Sequence, residues 1–600
     1  MLYENLCINS RFGEGYADHL WINLGIKRDD LLNLAKIPVS PNMIFCRQYL
    51  HVTLFALSLT VTFVHAQTMP DAGSLRQQIE QPREFQLPQA VRPPKVTPPP
   101  EIQARDGMSV KVKRFQFVGN TLLTEQDLAP AVVEFLNREL DLAGLQRAAD
   151  AVAAAYREAG WMVRAYLPEQ DISEGVVAVQ VIEARFAGVK LEGEPPRLVN
   201  IAEIEAFFKA SQFEGKPMRA DALDRALLLV DDLPGVSVAG TLAPGEADGE
   251  TALVLQTSDE PRVYGDVGLD NTGARSTGSN RLTVNMNVNS LGQRGELLSL
   301  TGLHTQGSDY GRVAFTVPDG YNGLRLGASL SSMIYKVIDG PGATAQVQGR
   351  SDSMGLDMNY PLQRTRMYNL YWSGGVENKT FFTQDSTGVR SDYESDSLRT
   401  GLSGNYFDDL FGGGANSGSL QMLWGHLDNM RQHPLLGSIN TSYRKINYSF
   451  SRQQTLEGSH SLLFSLQGQH ATQVLDSSEK FYLGGAQSVR AYPVSELGGE
   501  RGQLLSAEWR WRLDSAWLLT AFIDEGRVVT LPATTSDQKT TLILRGYGLS
   551  ASWQAPMGLV TKLTWSHRDG SNPKANVNTG ADSDGTLHLN RLWLTVNMPF

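Results

Sequence analysis

The chain has 600 residues, of which 41% are apolar and only 20% charged, with 57 glycines. It is too long for one ordinary domain and too apolar for a disordered polymer, and its excess of glycine over charge suits a turn-rich β protein. A net charge of −11 argues against a nucleic-acid or polyanion partner. Two cysteines, Cys7 and Cys46, exclude a disulfide scaffold and a thiolate zinc site.

From the N-terminus, residues 1–42 carry mixed charges (Glu4, Arg11, Asp18, Lys27, Asp29) and no period. They read as a non-native upstream extension, with Met43 as the true start; a genuine extended signal is the alternative. Residues 43–66 have the order of a secretory signal peptide: Arg47, the uncharged run Val52–Val64, then small residues Val64 and Ala66 flanking His65 before a cut. The run is too short to span a bilayer, which takes roughly 20 residues. Cleavage after Ala66 removes both cysteines, which suits an oxidising, exported compartment. Downstream, no run of roughly 18 apolar residues occurs, so the exported chain is either soluble or crosses a membrane as a closed β-barrel.

Residues 67–87 are polar. Asp71 or Ser74 can cap a short helix on which Leu75 and Ile79 share a face. Residues 88–109 follow as a linker; between Pro88 and Pro100, six of thirteen residues are proline, which gives an extended, semi-rigid spacer. Residues 110–184 form an α/β module. Lys111–Val118 alternates as a strand, Thr124-Glu-Gln-Asp127 resembles a capping box opening a helix to Leu136, and Leu142–Ala159 is a second helix stopped by Gly160. Met162–Leu167 and Val176–Ile182 are strands. Residues 185–259 repeat the order: strand Phe186–Leu191, helices Ile201–Lys209 and Arg219–Asp231, strands Val236–Leu242 and Thr251–Thr257. A β-α-α-β-β unit recurring about 75 residues on is an internal repeat.

From Arg262 to Phe600 helical periodicity gives way to short alternating runs. Leu282, Val284, Met286 and Val288 fall on one face, with Thr283, Asn285, Asn287 and Asn289 opposite. Leu505, Ala507, Trp509, Trp511 and Leu513 oppose Ser506, Glu508, Arg510 and Arg512. Leu592, Leu594, Val596, Met598 and Phe600 share a face at the end. Polar faces rich in Asn, Thr, Ser and paired charges suit a wet lumen, so the pattern favours a transmembrane antiparallel β-barrel over a soluble sandwich. At roughly 10 residues per strand, sixteen strands leave about 11 residues per connection.

Signatures of chemistry are missing: no GxSxG elbow, phosphate loop or HExxH occurs. His304, His426 and His567 have no partner at metal spacing and read as surface or lumen residues. Asp524, Glu525 and Asp569 have no partner acid. No enzyme activity, metal or cofactor is expected. One constellation stands out. Phe481-Tyr-Leu-Gly484-Gly485 precedes Val489-Arg490-Ala491-Tyr492, and Phe522-Ile-Asp524-Glu-Gly526 lies beyond. Gly484 and Gly485 permit a sharp fold-back. Thr520, Phe522 and Asp524 share the face opposite Leu519, Ala521 and Ile523, so Asp524 points into the lumen, where a bidentate pair with Arg490 pins the loop inside. A surface arginine in a hairpin loop is the alternative.

These residues resemble the VRGY lid-loop motif and its aspartate partner in two-partner secretion transporters (the TpsB family of ShlB/FhaC/HecB-like haemolysin secretion/activation proteins), within the BamA-like barrel superfamily. The resemblance covers essentially the whole mature chain, with one departure: Ala491 stands where the motif has glycine, and its methyl restricts the backbone there. It implies a mixed fold, two tandem POTRA domains (110–184 and 185–259) before a sixteen-strand barrel (260–600), and an outer-membrane pore that secretes a partner exoprotein without nucleotide energy. It implies further that the POTRA units bind the partner, that the helix bearing Leu75 and Ile79 plugs the lumen, and that Phe600 is the terminal aromatic read by the barrel assembly machinery. The expected setting is the lipid of the Gram-negative outer membrane, with a monomeric pore. A BamA-type assembly factor, a passive porin and an adhesin scaffold are the alternatives.

Overall fold

The computed structural model describes residues 71–80, 109–247, 249–432, 442–532 and 538–600. The upstream extension, the signal peptide and the proline-rich linker up to residue 108 lie outside the described residues.

In the first module Phe115 and Phe117 are buried and their neighbours exposed, as the alternation predicts. Their strand, Arg114–Val118, runs parallel to Val176–Glu183, which pairs antiparallel with Val163–Tyr166. Helices Glu125–Val132 and Leu142–Glu158 complete the core with Leu128, Val132, Leu145, Val152 and Tyr156. Thr124 and Asp127 form the capping box, and Asp141 caps the second helix at the Gly144 N–H. Two expectations are corrected. The first strand breaks after Lys111, because Ser109–Lys111 turns to pair with Glu139–Asp141, a strand the sequence reading missed. The first helix ends at Val132 rather than Leu136, running into the 3-10 turn Val133–Phe135: Pro130 removes a backbone donor, and Asn137 then reverses the chain at φ 59°.

The second module repeats this order with strands Arg185–Glu192, Val236–Pro244 and Glu250–Asp259 and helices Ile201–Ser211 and Ala220–Asp231; again the first strand is parallel to the last. The modules share main-chain bonds. Met162 N–H donates to the Met218 carbonyl (3.0 Å) and Met218 N–H to the Ala184 carbonyl (2.7 Å).

Sixteen antiparallel strands then close a barrel, the last (Asn590–Pro599) pairing with the first (Val263–Asp270). Many strands are longer than the roughly ten residues expected. The set runs from 8 residues to the 21 of Gly388–Asp408, and only Ser386 and Thr387 separate that strand from its predecessor. The long strands consume the chain that was allotted to connections. Leu282, Val284, Leu505, Trp509, Leu592 and Leu594 face outward and exposed, while Thr283, Thr520, Phe522 and Asp524 face inward and buried. Phe600 exchanges two backbone hydrogen bonds with Gly265, both 3.0 Å, at the closure.

Candidate functional site in the barrel lumen

Two bodies fill the lumen. The first is the helix Ala72–Glu80. Asp71 is its cap, accepting from the Ser74 N–H at 2.8 Å. Ala72 and Leu75 are buried against a collar of wall residues that includes Met333, Tyr335, Phe381, Tyr393 and Tyr443, and Ile79 packs at its edge. The lumen wall, read from the sequence as polar, is thus apolar along the Ala72–Leu75 side of this helix. Burying a leucine this way contributes about 1.5–3 kcal/mol.

Arg76 points sideways into the wall. Its Nη1 donates to Ser351 Oγ (3.1 Å) and its Nη2 to Ser331 Oγ (2.7 Å), Ser353 Oγ (2.5 Å) and Glu80 Oε1 (2.8 Å). This socket of three serines and a helix carboxylate leaves the guanidinium almost wholly buried with every nitrogen in at least one hydrogen bond, Nε pairing with Glu80 Oε2 at 3.2 Å, as buried charge requires. Sequence reasoning missed it, because single serines on alternating strands look like ordinary lumen residues.

The second body is the loop 472–500, between strands His460–Ala471 and Arg501–Arg512. It folds back where expected: Gly484 and Gly485 take φ of 103° and 99°, and Gly485 N–H closes a turn on the Tyr492 carbonyl at 3.0 Å. Leu483, Val489, Ala491 and Tyr492 are fully buried with Leu504, Val528 and Leu544 of the wall. Arg490 meets Asp524 through Nε (2.9 Å to Oδ2) and Nη2 (2.8 Å to Oδ1), as predicted. Three partners were not predicted. Glu508 Oε1 accepts from Nη1 at 2.9 Å, Ser506 Oγ lies 3.0 Å from Nη2, and the Phe522 ring centroid lies 3.4 Å from Cζ, a cation–π contact. The signal was present, since Ser506 and Glu508 alternate on the lumen face. The Arg490 carbonyl also accepts from Ser566 Oγ (2.6 Å) and Trp593 Nε1 (2.8 Å), which ties the loop to the last two strands. The Tyr492 ring lies 4.5 Å from the Arg568 guanidinium.

Ala491 has no positive φ, so its methyl is tolerated by the backbone. It is tolerated by the wall because Gly546 faces it: a Cβ built there would lie 2.6 Å from Ala491 Cβ.

The two bodies touch. Gly73 lies against the loop's short helical turn Ser477–Glu479, and a Cβ there would stand 2.8 Å from Ser477 Oγ. Ser477 Oγ donates to Asp71 Oδ1 (2.9 Å), and its carbonyl accepts from Tyr482 (2.9 Å). Lys445 Nζ, 2.8 Å from Glu479 Oε2, and Lys379 Nζ, 3.5 Å from Oε1, hold this turn to the wall. The three histidines take ordinary polar partners: His304 contacts Asp309 (2.6 Å), His426 Ser442 (2.8 Å) and His567 Asn590 (2.8 Å).

A family model described as haemolysin secretion/activation protein ShlB/FhaC/HecB matches residues 249–553, and a POTRA domain model of ShlB type matches residues 110–184. The heme/hemopexin transporter protein HuxB of Haemophilus influenzae is 26% identical over 501 residues, covering 79% of this chain and 85% of that protein. The outer membrane transporter CdiB of Escherichia coli O6:K15:H31 is 26% identical over 442 residues, 70% of this chain and 72% of its own. The solved structure of CdiB from Escherichia coli superposes with a TM-score of 0.64 at 19% identity, covering 94% of this chain and all of that one. That likeness speaks for the fold.

Proposed function

The chain belongs to the haemolysin secretion/activation family of outer-membrane two-partner secretion transporters, and we propose that its POTRA modules capture the partner exoprotein while the two lumen-filling bodies gate its passage. As a family member it sits in the outer membrane, with its modules in the periplasm, and translocates a partner exoprotein.

The observation that carries the gating reading is the filled lumen. The helix Ala72–Glu80 and the Arg490 loop occupy the barrel together, through contacts local enough to break one at a time. An unfolded segment of the partner adds to an edge of a module sheet as an extra strand, or lies along a groove beside it. The helix then leaves the lumen, and its tether through Ser477 transmits that departure to the lid loop. Arg490, held by Asp524, shapes the conduit. The protein performs no covalent chemistry and uses no metal or cofactor; folding of the partner outside supplies the free energy. Barrel closure by one chain supports a monomeric pore, and Phe600 serves the barrel assembly machinery during biogenesis.

Co-expression with a large exoprotein encoded beside this chain tests the reading. Deleting residues 110–184 or 185–259 abolishes secretion while the barrel still inserts. Secretion that survives either deletion overturns capture by the modules.

A further inference from the structure

The second module and the barrel wall enclose a groove of about 500 Å³ that the transport mechanism does not use. On one side stand helices Ile201–Ser211 and Ala220–Asp231; on the other, the turn Asp319–Leu324 and Tyr360. Leu229, Tyr321, Leu324 and Tyr360 make its walls apolar, and Arg225 and Asp319 add one charge of each sign.

The strand pleat fixes which side of the barrel this is. Along Gln348–Arg364, Ser351 and Ser353 face the lumen, where they hold Arg76, while Met354, Leu356 and Met358 are exposed. Tyr360 continues the exposed set. On the neighbouring strand Arg325–Lys336, Ser331 faces the lumen and Leu326 and Leu330 are exposed, so Leu324 also falls on the outside. The groove is therefore the periplasmic end of the lipid-facing belt, roofed by the second module.

Its walls are held in place. The Phe207 and Tyr321 rings meet edge-on at 5.4 Å, and Arg225 Nη2 donates to the Pro361 carbonyl at 2.8 Å. Arg364 pairs with Asp232 through two 2.8 Å bonds, and Arg366 Nη2 with Asp224 at 2.8 Å.

We infer that this groove binds one zwitterionic phospholipid of the periplasmic leaflet, of the phosphoethanolamine type. The phosphate sits at the Arg225 guanidinium, whose Nη2 serves the Pro361 and Asn322 carbonyls (2.8 and 3.3 Å) and whose Nε and Nη1 N–H groups face the phosphate. The ammonium sits at Asp319, and an acyl chain runs along Leu229, Leu324 and Tyr360. Continuity with the lipid belt argues for a lipid rather than a peptide. A carboxylate and a guanidinium lining the same groove argue for a zwitterion rather than an anionic lipid. Such a lipid fixes the second module against the membrane under the pore, however the partner moves.

The test uses the full chain in nanodiscs that contain a trace of phosphatidylethanolamine with a diazirine in its acyl chain, and maps cross-linked peptides by mass spectrometry. Expected is labelling of Tyr360 and also of the helix Ala220–Asp231, with phosphatidylglycerol carrying the same diazirine labelling that helix less. Arg225→Ala lowers helix labelling about tenfold, the loss of one charge-assisted hydrogen bond, and Asp319→Asn brings the two lipids level. Ser211→Trp fills the groove without touching its charges; it abolishes helix labelling while Leu356 on the open belt stays labelled, which also reports an intact barrel. Labelling confined to the belt, equal labelling of the helix by both lipids in the unaltered chain, or helix labelling that survives Ser211→Trp overturns the proposal. So does occupation of the groove by a cross-linked segment of the secreted partner in place of lipid.

Discussion

Arg490 and Asp524 are joined by three hydrogen bonds, one from the Arg490 backbone N–H (3.2 Å) and two from its guanidinium (2.9 and 2.8 Å), with both residues buried. A side chain that binds the wall through its fork and its own main chain fixes the conformation of its loop as well as its position.

Removing one partner of a buried pair costs about 3–5 kcal/mol where the charge is left uncompensated; Asp524→Asn costs less than that, since Glu508 still faces Arg490 at 2.9 Å, but it weakens all three bonds at once. Asp524→Asn is therefore more harmful than loss of a single hydrogen bond. Arg490→Lys loses the two-toothed geometry while keeping the charge, and Glu508 still compensates it. The expected order of secreted partner in culture supernatants is unaltered chain, then Arg490→Lys, then Asp524→Asn, then Arg490→Glu. All four insert, as judged by heat-modifiable gel mobility. Normal secretion by Arg490→Glu removes the loop from the mechanism.

The lumen helix is held by apolar packing, the Arg76 socket and the close approach of Gly73. Glycine inside a helix costs about 1 kcal/mol relative to alanine; here it admits the Ser477–Glu479 turn. Gly73→Val and Arg76→Ala should each raise resting conductance in planar bilayers towards that of a chain lacking residues 67–82. Single serine-to-alanine changes at 331, 351 or 353 should do much less, since three hydroxyls share one guanidinium. Resting conductance unchanged by deletion of 67–82 rules out the helix as the plug.

The parts visible in the sequence were those written in local periods. The capping box at Thr124, the repeated module order and the inward set Thr520, Phe522 and Asp524 each follow from spacing along one segment. The Arg490 pairing was reachable because Asp524 lies on a strand whose faces could be assigned. Glu508 lay on an equally legible face, but nothing local marks which lumen carboxylate an arginine will choose. The socket for Arg76 was invisible, since its serines are about 250 residues and more away in sequence. Ser109–Lys111 escaped because a three-residue strand carries too little alternation to register, and the 21-residue strand because periodicity fixes faces and not ends.

Glu183 gives the first module a sign-definite response to acid. Burial pushes its carboxyl pKa up, but the Thr121 hydroxyl, the backbone N–H groups of Leu122 (2.7 Å) and Thr121 (2.6 Å) and the Tyr156 hydroxyl (3.0 Å) together hold it below the ordinary 4.5. The folded module thus binds fewer protons than the unfolded chain near that value. Its contribution is fully present above pH 4.5 and is lost as pH falls through the lowered value. Proteolysis of the full chain in detergent at the 119–123 loop should be flat from about pH 7 to pH 5 and rise steeply below. Glu183→Gln should start higher at neutral pH and lose the steep rise. A variant with the same acid profile as the unaltered chain assigns the response elsewhere.

Ala491 and Gly546 make the sharpest packing test. The methyl of Ala491 occupies the space that a side chain at 546 would fill, 2.6 Å from an ideal Cβ, between backbones that are both fixed: Gly546 lies in a strand paired on both sides, and the Arg490 carbonyl next to Ala491 accepts two hydrogen bonds. Two carbons cannot share that distance, and overpacking of this kind costs about 1–3 kcal/mol. Gly546→Ala should therefore loosen the lid loop and lower secretion with the barrel still inserted. Ala491→Gly alone restores the glycine of the family motif and leaves only a methyl-sized void, costing roughly 1 kcal/mol. Combined, the two changes move the methyl from the loop to the wall and should recover most of the lost secretion. A double variant no better than Gly546→Ala would show that the methyl contact does not set the loop, and that Gly546 serves the strand instead.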